Sequence, residues 1–131
     1  MRTGLLIAES DAELRRIYDR LSSVLGFPVE TAANGLECWT KLRALAPDAL
    51  VVDVEIPWGG GDGVLARLRD DSEAPTTPAV FVTGDDPPEA LSRRFEIPIG
   101  RCFQKPFRLT VLLESVCAVV AAGPRCVPGT D

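Results

Sequence analysis

The sequence predicts an α/β fold in which a five-stranded parallel sheet carries helices on both faces. Three observations predict it. Short apolar runs alternate with amphipathic segments five times along the chain, a pattern that makes each helix a crossover between parallel strands. The run Ala49–Val54 is apolar apart from Asp53, as a strand buried on both faces should be. The runs also end in polar residues, and open sheets of this class place their sites beyond the carboxyl ends of the strands.

Gly4–Ala8 reads as the first buried strand. Leu14, Ile17, Leu21, Val24 and Leu25 follow at helical spacing. Ser10 with Glu13 three residues on reads as a capping box, with the serine hydroxyl at the N-cap. Gly26 and Pro28 close that helix. Val29–Ala32 is a short strand. Asn34 and Glu37 open a second helix with Leu36, Cys38 or Trp39, Leu42 and Leu45 on its apolar side. Ala49–Val54 is the central strand, and Gly63–Arg69 is a shorter helix. Ala74–Pro78 is a loop, and Ala79–Thr83 a strand ending at Gly84. Pro87–Phe95 starts on prolines that suit a first helical turn. Arg101–Gln104 is a brief strand, and Arg108–Val120 the last helix. One domain spans 1–122, followed by a Pro/Gly tail over 123–131.

Composition excludes several classes. The chain has 131 residues, 46% hydrophobic and 25% charged, with a formal charge of −5. That charge opposes a general nucleic-acid grip, although Arg15, Arg16, Arg93, Arg94 and Arg108 are unevenly spread. No apolar run is long enough to cross a bilayer, and the first residues do not read as a secretory signal. There is no histidine, which removes Ser-His and Cys-His nucleophile machinery. Cys38, Cys102, Cys117 and Cys126 form no C-x-x-C pair and read as reduced thiols of a cytoplasmic protein.

The polar groups at the strand ends carry the chemistry. Glu9-Ser10-Asp11 follows the first strand, Asp53 ends the third, Thr83 ends the fourth and Lys105 follows the fifth. Parallel pairing brings them to one edge of the sheet. A carboxylate there can attack phosphorus and form an acyl phosphate. Crowded acids suit Mg²⁺, a hard cation that shares oxygen ligands with phosphate. A lysine can neutralise phosphoryl charge, and a threonine hydroxyl can donate to a phosphoryl oxygen. Each residue also has a plainer reading: Asp53 as a strand-end acid held by turn amides, Glu9 and Asp11 as partners of the helix dipole, Thr83 as a β-branched strand residue.

From about Leu5 to Ala121 the chain resembles the receiver domain of two-component response regulators. The resemblance rests on the acidic turn after "LLIA", on "VVDVEIP" followed by "DG", on "VFVTGD" and on "FQKPF". Their order is specific, with thirty residues from Asp53 to Thr83 and twenty-two more to Lys105. It implies a flavodoxin-like receiver fold with strand order 2-1-3-4-5. It implies Asp53 as phosphoacceptor, Thr83 as switch hydroxyl and Lys105 as the phosphoryl-contacting cation. It further implies a Mg²⁺ site built from Glu9, Asp53 and the main-chain carbonyl of Glu55, with Asp11 as an additional candidate. The phosphoryl donor would be a histidine kinase or histidine phosphotransfer protein. The output would pass to a downstream protein partner, without direct nucleic-acid contact or membrane insertion. Chemistry would be confined to self-phosphorylation and self-dephosphorylation at Asp53. No output domain is recognisable after the last helix, so output is expected through a partner or through a larger protein containing this segment.

Three positions depart from the family pattern. Ser10 stands where receivers usually have a second acid, which predicts reduced Mg²⁺ affinity. Cys102 replaces the usual aromatic three residues before the lysine, and strand alternation points neighbouring Phe103 to the opposite face. Four residues, Trp58-Gly59-Gly60-Gly61, separate the proline from "DG" where two are common. Trp58 is expected to be partly buried against its loop, and is also a candidate cover for the phosphoryl group or a docking residue. Ile97, Ile99 and Phe107 read as core or core edge, some of them candidates for a partner face.

The departures favour a second reading, a degenerate receiver that binds proteins without being phosphorylated. A phosphatase using Asp53 and Glu55 as its acid pair ranks lower, because its usual second aspartate is Glu. Flavin binding ranks lower still, because no phosphate-cradling loop follows the first strand.

Overall fold

The structure is a computed structural model that describes residues 4–26, 28–70 and 77–122. The predicted tail over 123–131, Cys126 and most of the 74–78 loop lie outside the described residues. Five strands form one parallel sheet in the order β2-β1-β3-β4-β5. They are β1 (Leu5–Ala8), β2 (Val29–Ala32), β3 (Ala49–Asp53), β4 (Ala79–Thr83) and β5 (Cys102–Gln104). Fold class and strand order are those expected from the sequence.

Six helices connect and cover the strands among the described residues: α1 (Ala12–Asp19), α2 (Leu21–Leu25), α3 (Gly35–Leu45), α4 (Gly60–Asp70), α5 (Pro88–Phe95) and α6 (Leu109–Ala122). The single helix expected after β1 is two. At Arg20 the amide turns back to the Ile17 carbonyl, and the Ser23 hydroxyl donates to the Arg20 carbonyl. Gly26 then ends α2 in the left-handed conformation at φ 79°. Asn34 caps α3 as predicted, accepting from the Glu37 amide, while the Glu37 carboxylate accepts from the Ala33 amide.

The first cap differs from the expectation. Asp11, not Ser10, is the N-cap of α1, and its carboxylate accepts from the Glu13 and Leu14 amides at 2.8 and 3.3 Å. Asp11 has the extended backbone of a cap (φ −76°, ψ 118°), whereas Ser10 is exposed and contributes only its carbonyl, to Arg15.

Strand alternation divides the core in two. Leu6, Ala8, Leu50, Val52, Phe81 and Cys102 face the layer of α3, α4 and α5, where Phe81 stacks on Phe95 at 4.9 Å. Leu5, Ile7, Val51, Val80 and Val82 face the layer containing α1 and α6. Each such side chain fully buried contributes roughly 2 kcal/mol, so β1, β3 and β4 are rigid supports for whatever follows them. Phe103 packs on this second face, opposite Cys102, as alternation required.

The three glycines after Trp58 are explained by close approach as well as by conformation. Gly59 and Gly60 have φ of 97° and 62°. Gly61 lies against Val54, whose Cα would be 2.9 Å from a Cβ added there. Gly60 and Gly61 belong to the first turn of α4, so the helix starts three residues earlier than its apolar pattern suggested.

Candidate functional site

The carboxyl edge of the sheet gathers the polar strand ends. Glu9 leaves β1 with its amide on the Ala32 carbonyl, which keeps it in line with the sheet. Asp53 is the last residue of β3 and Thr83 the last of β4. The Lys105 amide donates to the Thr83 carbonyl, which fixes the chain just beyond β5. Glu9, Asp53 and Thr83 are buried, at 3%, 5% and 0% exposure.

One ammonium serves two acids. Lys105 Nζ donates to Asp53 Oδ2 at 2.7 Å and to Glu9 Oε1 at 2.9 Å. The remaining oxygens are also satisfied: Asp53 Oδ1 accepts from the Glu55 amide at 2.9 Å, and Glu9 Oε2 from the Asp11 amide at 3.1 Å. Partial burial works to lower the Lys105 pKa, but the hydrogen bonds it donates to Asp53 and Glu9, with their charges, override it and the net shift is upward. Tyr18, buried beside this cluster, is held above the ordinary phenol value by burial and by the Glu9 charge.

A second set of bonds centres on Glu55. The buried Thr83 hydroxyl donates to Glu55 Oε2 at 2.5 Å, and the Gly84 amide donates to Glu55 Oε1 at 2.8 Å. Thr83 Oγ1 in turn accepts from the Asp85 and Asp86 amides at 3.1 and 3.4 Å. Sequence reasoning gave the Glu55 main chain a part in the receiver reading and its side chain a part only in the lower-ranked phosphatase reading. Its side chain was legible only as an acid two residues past Asp53. Arg15 was also missed: its guanidinium donates to the Glu9 and Ser10 carbonyls, both at 2.8 Å, and clamps the acidic turn.

The structure therefore brings Glu9, Asp53 and Lys105 into direct contact, and ties Thr83 to Asp53 through Glu55. Asp11 joins this cluster through its amide, on Glu9 Oε2, while its Oδ1 serves the α1 cap. Among the described residues no three Cys, Asp or Glu side chains converge as a ready metal cage. Cys102 is buried in the core with its thiol toward the Pro98 carbonyl, so no aromatic stands at that position.

Trp58 is 74% exposed, against the expectation of partial burial. Its backbone is left-handed, with φ of 64°. It lines a groove with Leu36, Trp39 and Arg67, and the Arg67 guanidinium lies 5.2 Å from the Trp39 ring. Ile97 is buried, while Ile99 is exposed on the short 3-10 turn before β5.

Comparison with known proteins gives the family and the fold. A family profile described as the response regulator receiver domain matches residues 5–117. The probable transcriptional regulator ycf27 of Pyropia yezoensis is 35% identical over 71 residues, covering 54% of this chain and 29% of that regulator. The chain thus spans less than a third of that relative's length. The chemotaxis protein CheY1 of Helicobacter pylori is 28% identical over 118 residues, covering 88% of this chain and 95% of that protein. Among solved structures, a putative response regulator from Chloroflexus aurantiacus superposes with a TM-score of 0.76 at 27% identity, covering 92% of this chain and 99% of the other.

Proposed function

Because this chain belongs to the response regulator receiver family, we propose that it accepts a phosphoryl group on Asp53 and signals through a partner-binding face. The observation that carries the reading is the Lys105 ammonium 2.7 Å from a buried strand-end carboxylate. In the proposed step a carboxylate oxygen of Asp53 attacks the phosphorus of a phosphohistidine. The P–N bond breaks, the electron pair leaves with the imidazole, and an acyl phosphate remains on Asp53. Lys105 holds the carboxylate in place and offers charge to the added phosphoryl oxygens. Hydrolysis of the acyl phosphate by water resets the site.

The donors present suit Mg²⁺ in a minimal way. Glu9 and Asp53 supply two buried carboxylates and Glu55 a main-chain carbonyl, and Mg²⁺ commonly takes one or two carboxylates while keeping waters. When bound, the ion would neutralise charge on the phosphoryl oxygens. Ser10 in place of an acid supports a weak site, and Lys105 already occupies an oxygen of each carboxylate.

A groove of about 280 Å³ opens beside Lys105, with Leu14, Ile17, Tyr18 and Phe107 in its walls. Ile17 is 51% exposed there. This apolar lip next to the acceptor supports docking of a protein donor, a histidine kinase or histidine phosphotransfer protein, and Ile99 and Phe107 extend the partner-facing surface. No helix among the described residues is long and apolar enough to cross a membrane, and Cys38, Cys102 and Cys117 are free thiols. The net charge of −5 supports protein rather than nucleic-acid partners.

The reading is tested by incubating the protein with acetyl phosphate, with and without Mg²⁺, and recording intact mass. One added phosphoryl group, dependent on Mg²⁺ and absent in Asp53→Asn, is expected. No gain at high Mg²⁺, and none from any kinase, would favour the phosphorylation-independent binding module that Ser10 and Cys102 also support. The phosphatase alternative gains nothing, since the Glu55 carboxylate is engaged by Thr83 and Gly84.

A further inference from the structure

We propose that the Glu55 carboxylate is a built-in competitor for the phosphoryl group, holding the two donors that an anion on Asp53 would need. The inference rests on Asp53 being the phosphoacceptor. It follows from a count of protons. A threonine hydroxyl has one proton to donate, and a backbone amide has one. The Thr83 proton goes to Glu55 Oε2 at 2.5 Å, since Thr83 Oγ1 is already accepting from the Asp85 and Asp86 amides. The Gly84 proton goes to Glu55 Oε1 at 2.8 Å. Both donors at the end of β4 are therefore filled by an anion before any phosphoryl group arrives.

The geometry makes the competition direct. Asp53 pairs with Val82 across the sheet, so Thr83 and Gly84 are the next donors beyond its carboxylate. The Glu55 amide is bonded to Asp53 Oδ1, which places the Glu55 side chain in the same turn. A phosphoryl group on Asp53 would bring like charge next to the Glu55 carboxylate and acceptor oxygens toward the same protons. It can take Thr83 only if Glu55 swings into solvent, where this exposed residue has room. The unphosphorylated protein thus holds Thr83 in an anion-bound arrangement, and phosphorylation exchanges one anion for another. That exchange would lower the gain on phosphorylation and narrow the structural difference between the two states.

The test uses Glu55→Ala and Glu55→Gln in the whole chain, with two measurements. The first is the Gly84 amide resonance and its hydrogen exchange in the unmodified protein. Glu55→Ala should move the resonance and speed exchange, with a smaller change in Glu55→Gln, which keeps an uncharged acceptor. The second is titration with beryllofluoride in saturating Mg²⁺, a phosphoryl analogue that binds the carboxylate. Its half-saturation concentration should fall about tenfold in Glu55→Ala, as freed charge-assisted donors become available. An unmoved Gly84 resonance would overturn the proposal, as would equal or weaker beryllofluoride binding by the variant. Absence of binding by wild type and variant alike would overturn it together with the phosphoacceptor reading. A displaced Gly84 resonance with equal binding would overturn the competition alone.

Discussion

Gly35 sits directly beneath the carbonyl of Trp58. A Cβ on Gly35 would lie 1.9 Å from that oxygen and 3.0 Å from its carbon, while the Gly35 amide donates to the Pro57 carbonyl at 2.7 Å. The first turn of α3 is thereby fastened to the loop that follows β3. Gly35→Ala should force the backbones apart and cost about 2 kcal/mol, as overpacking of a close contact does. Urea unfolding gives the cost, and tryptophan fluorescence should show Trp58 displaced. Unchanged stability and emission would mean that the loop yields freely.

The cap of α1 makes a paired prediction. Asp11→Ala should cost about 1 kcal/mol by removing the acceptor for the Glu13 and Leu14 amides. Ser10→Ala should cost almost nothing, because Ser10 is exposed and no side-chain bond of its own joins the cap. The reverse ranking in thermal unfolding would restore the serine cap expected from sequence.

Ser10 also offers a test of the proposed Mg²⁺ site. Ser10→Asp adds a carboxylate beside buried Glu9, and should tighten Mg²⁺ binding roughly tenfold through added ligand charge. Asp11→Ala should leave that affinity nearly unchanged. Isothermal titration distinguishes them. Equal Mg²⁺ affinity in wild type and Ser10→Asp would show that position 10 does not face the ion.

Stability should fall on the alkaline side. Burial pushes the Cys38 thiol up to about 12, helped by the Glu37 charge, and pushes Cys102 up to about 11 against the opposing pull of Arg101. Both start from an ordinary value of 9.0. For Lys105 burial pulls downward, but the bonds to Asp53 and Glu9 prevail and the shift from 10.5 is upward. All three groups keep their protons longer in the folded state than in the unfolded one. Their contribution is complete below about pH 8.5 and is lost as pH climbs through the folded values. Denaturation curves from pH 7 to 11 should decline only above pH 9. In alkylation at pH 8, exposed Cys117 should react well before Cys38 and Cys102. Early modification of Cys102 would contradict its burial.

Much of this was legible because the relevant signals are local. Ala49–Asp53 announces a doubly buried strand by composition, and Asn34 with Glu37 announces a cap by spacing. The register of Asp53, Thr83 and Lys105 follows once the strands are parallel. What was not legible depends on choices between near equals or on distant partners. Ser10 and Asp11 can both cap, and the decision lay in which residue takes the extended backbone. The Glu55 side chain finds a hydroxyl 28 residues away, which no spacing rule connects. Gly60 and Gly61 are poor helix formers by propensity, and only their approach to Val54 explains why α4 begins there.

The bonds from Lys105 have a consequence for how the protein comes into being. They join positions 96 and 52 residues apart in the chain. A nascent chain emerging from the ribosome presents Glu9 and Asp53 long before the lysine, and folding proceeds from the amino-terminal side as synthesis advances. Until β5 and the turn beyond it have joined the sheet, the two acids have no ammonium between them. The ammonium-held arrangement of Asp53 is therefore acquired last, and a polypeptide cut anywhere between Asp53 and Lys105 carries the carboxylate on one piece and the charge that positions it on the other.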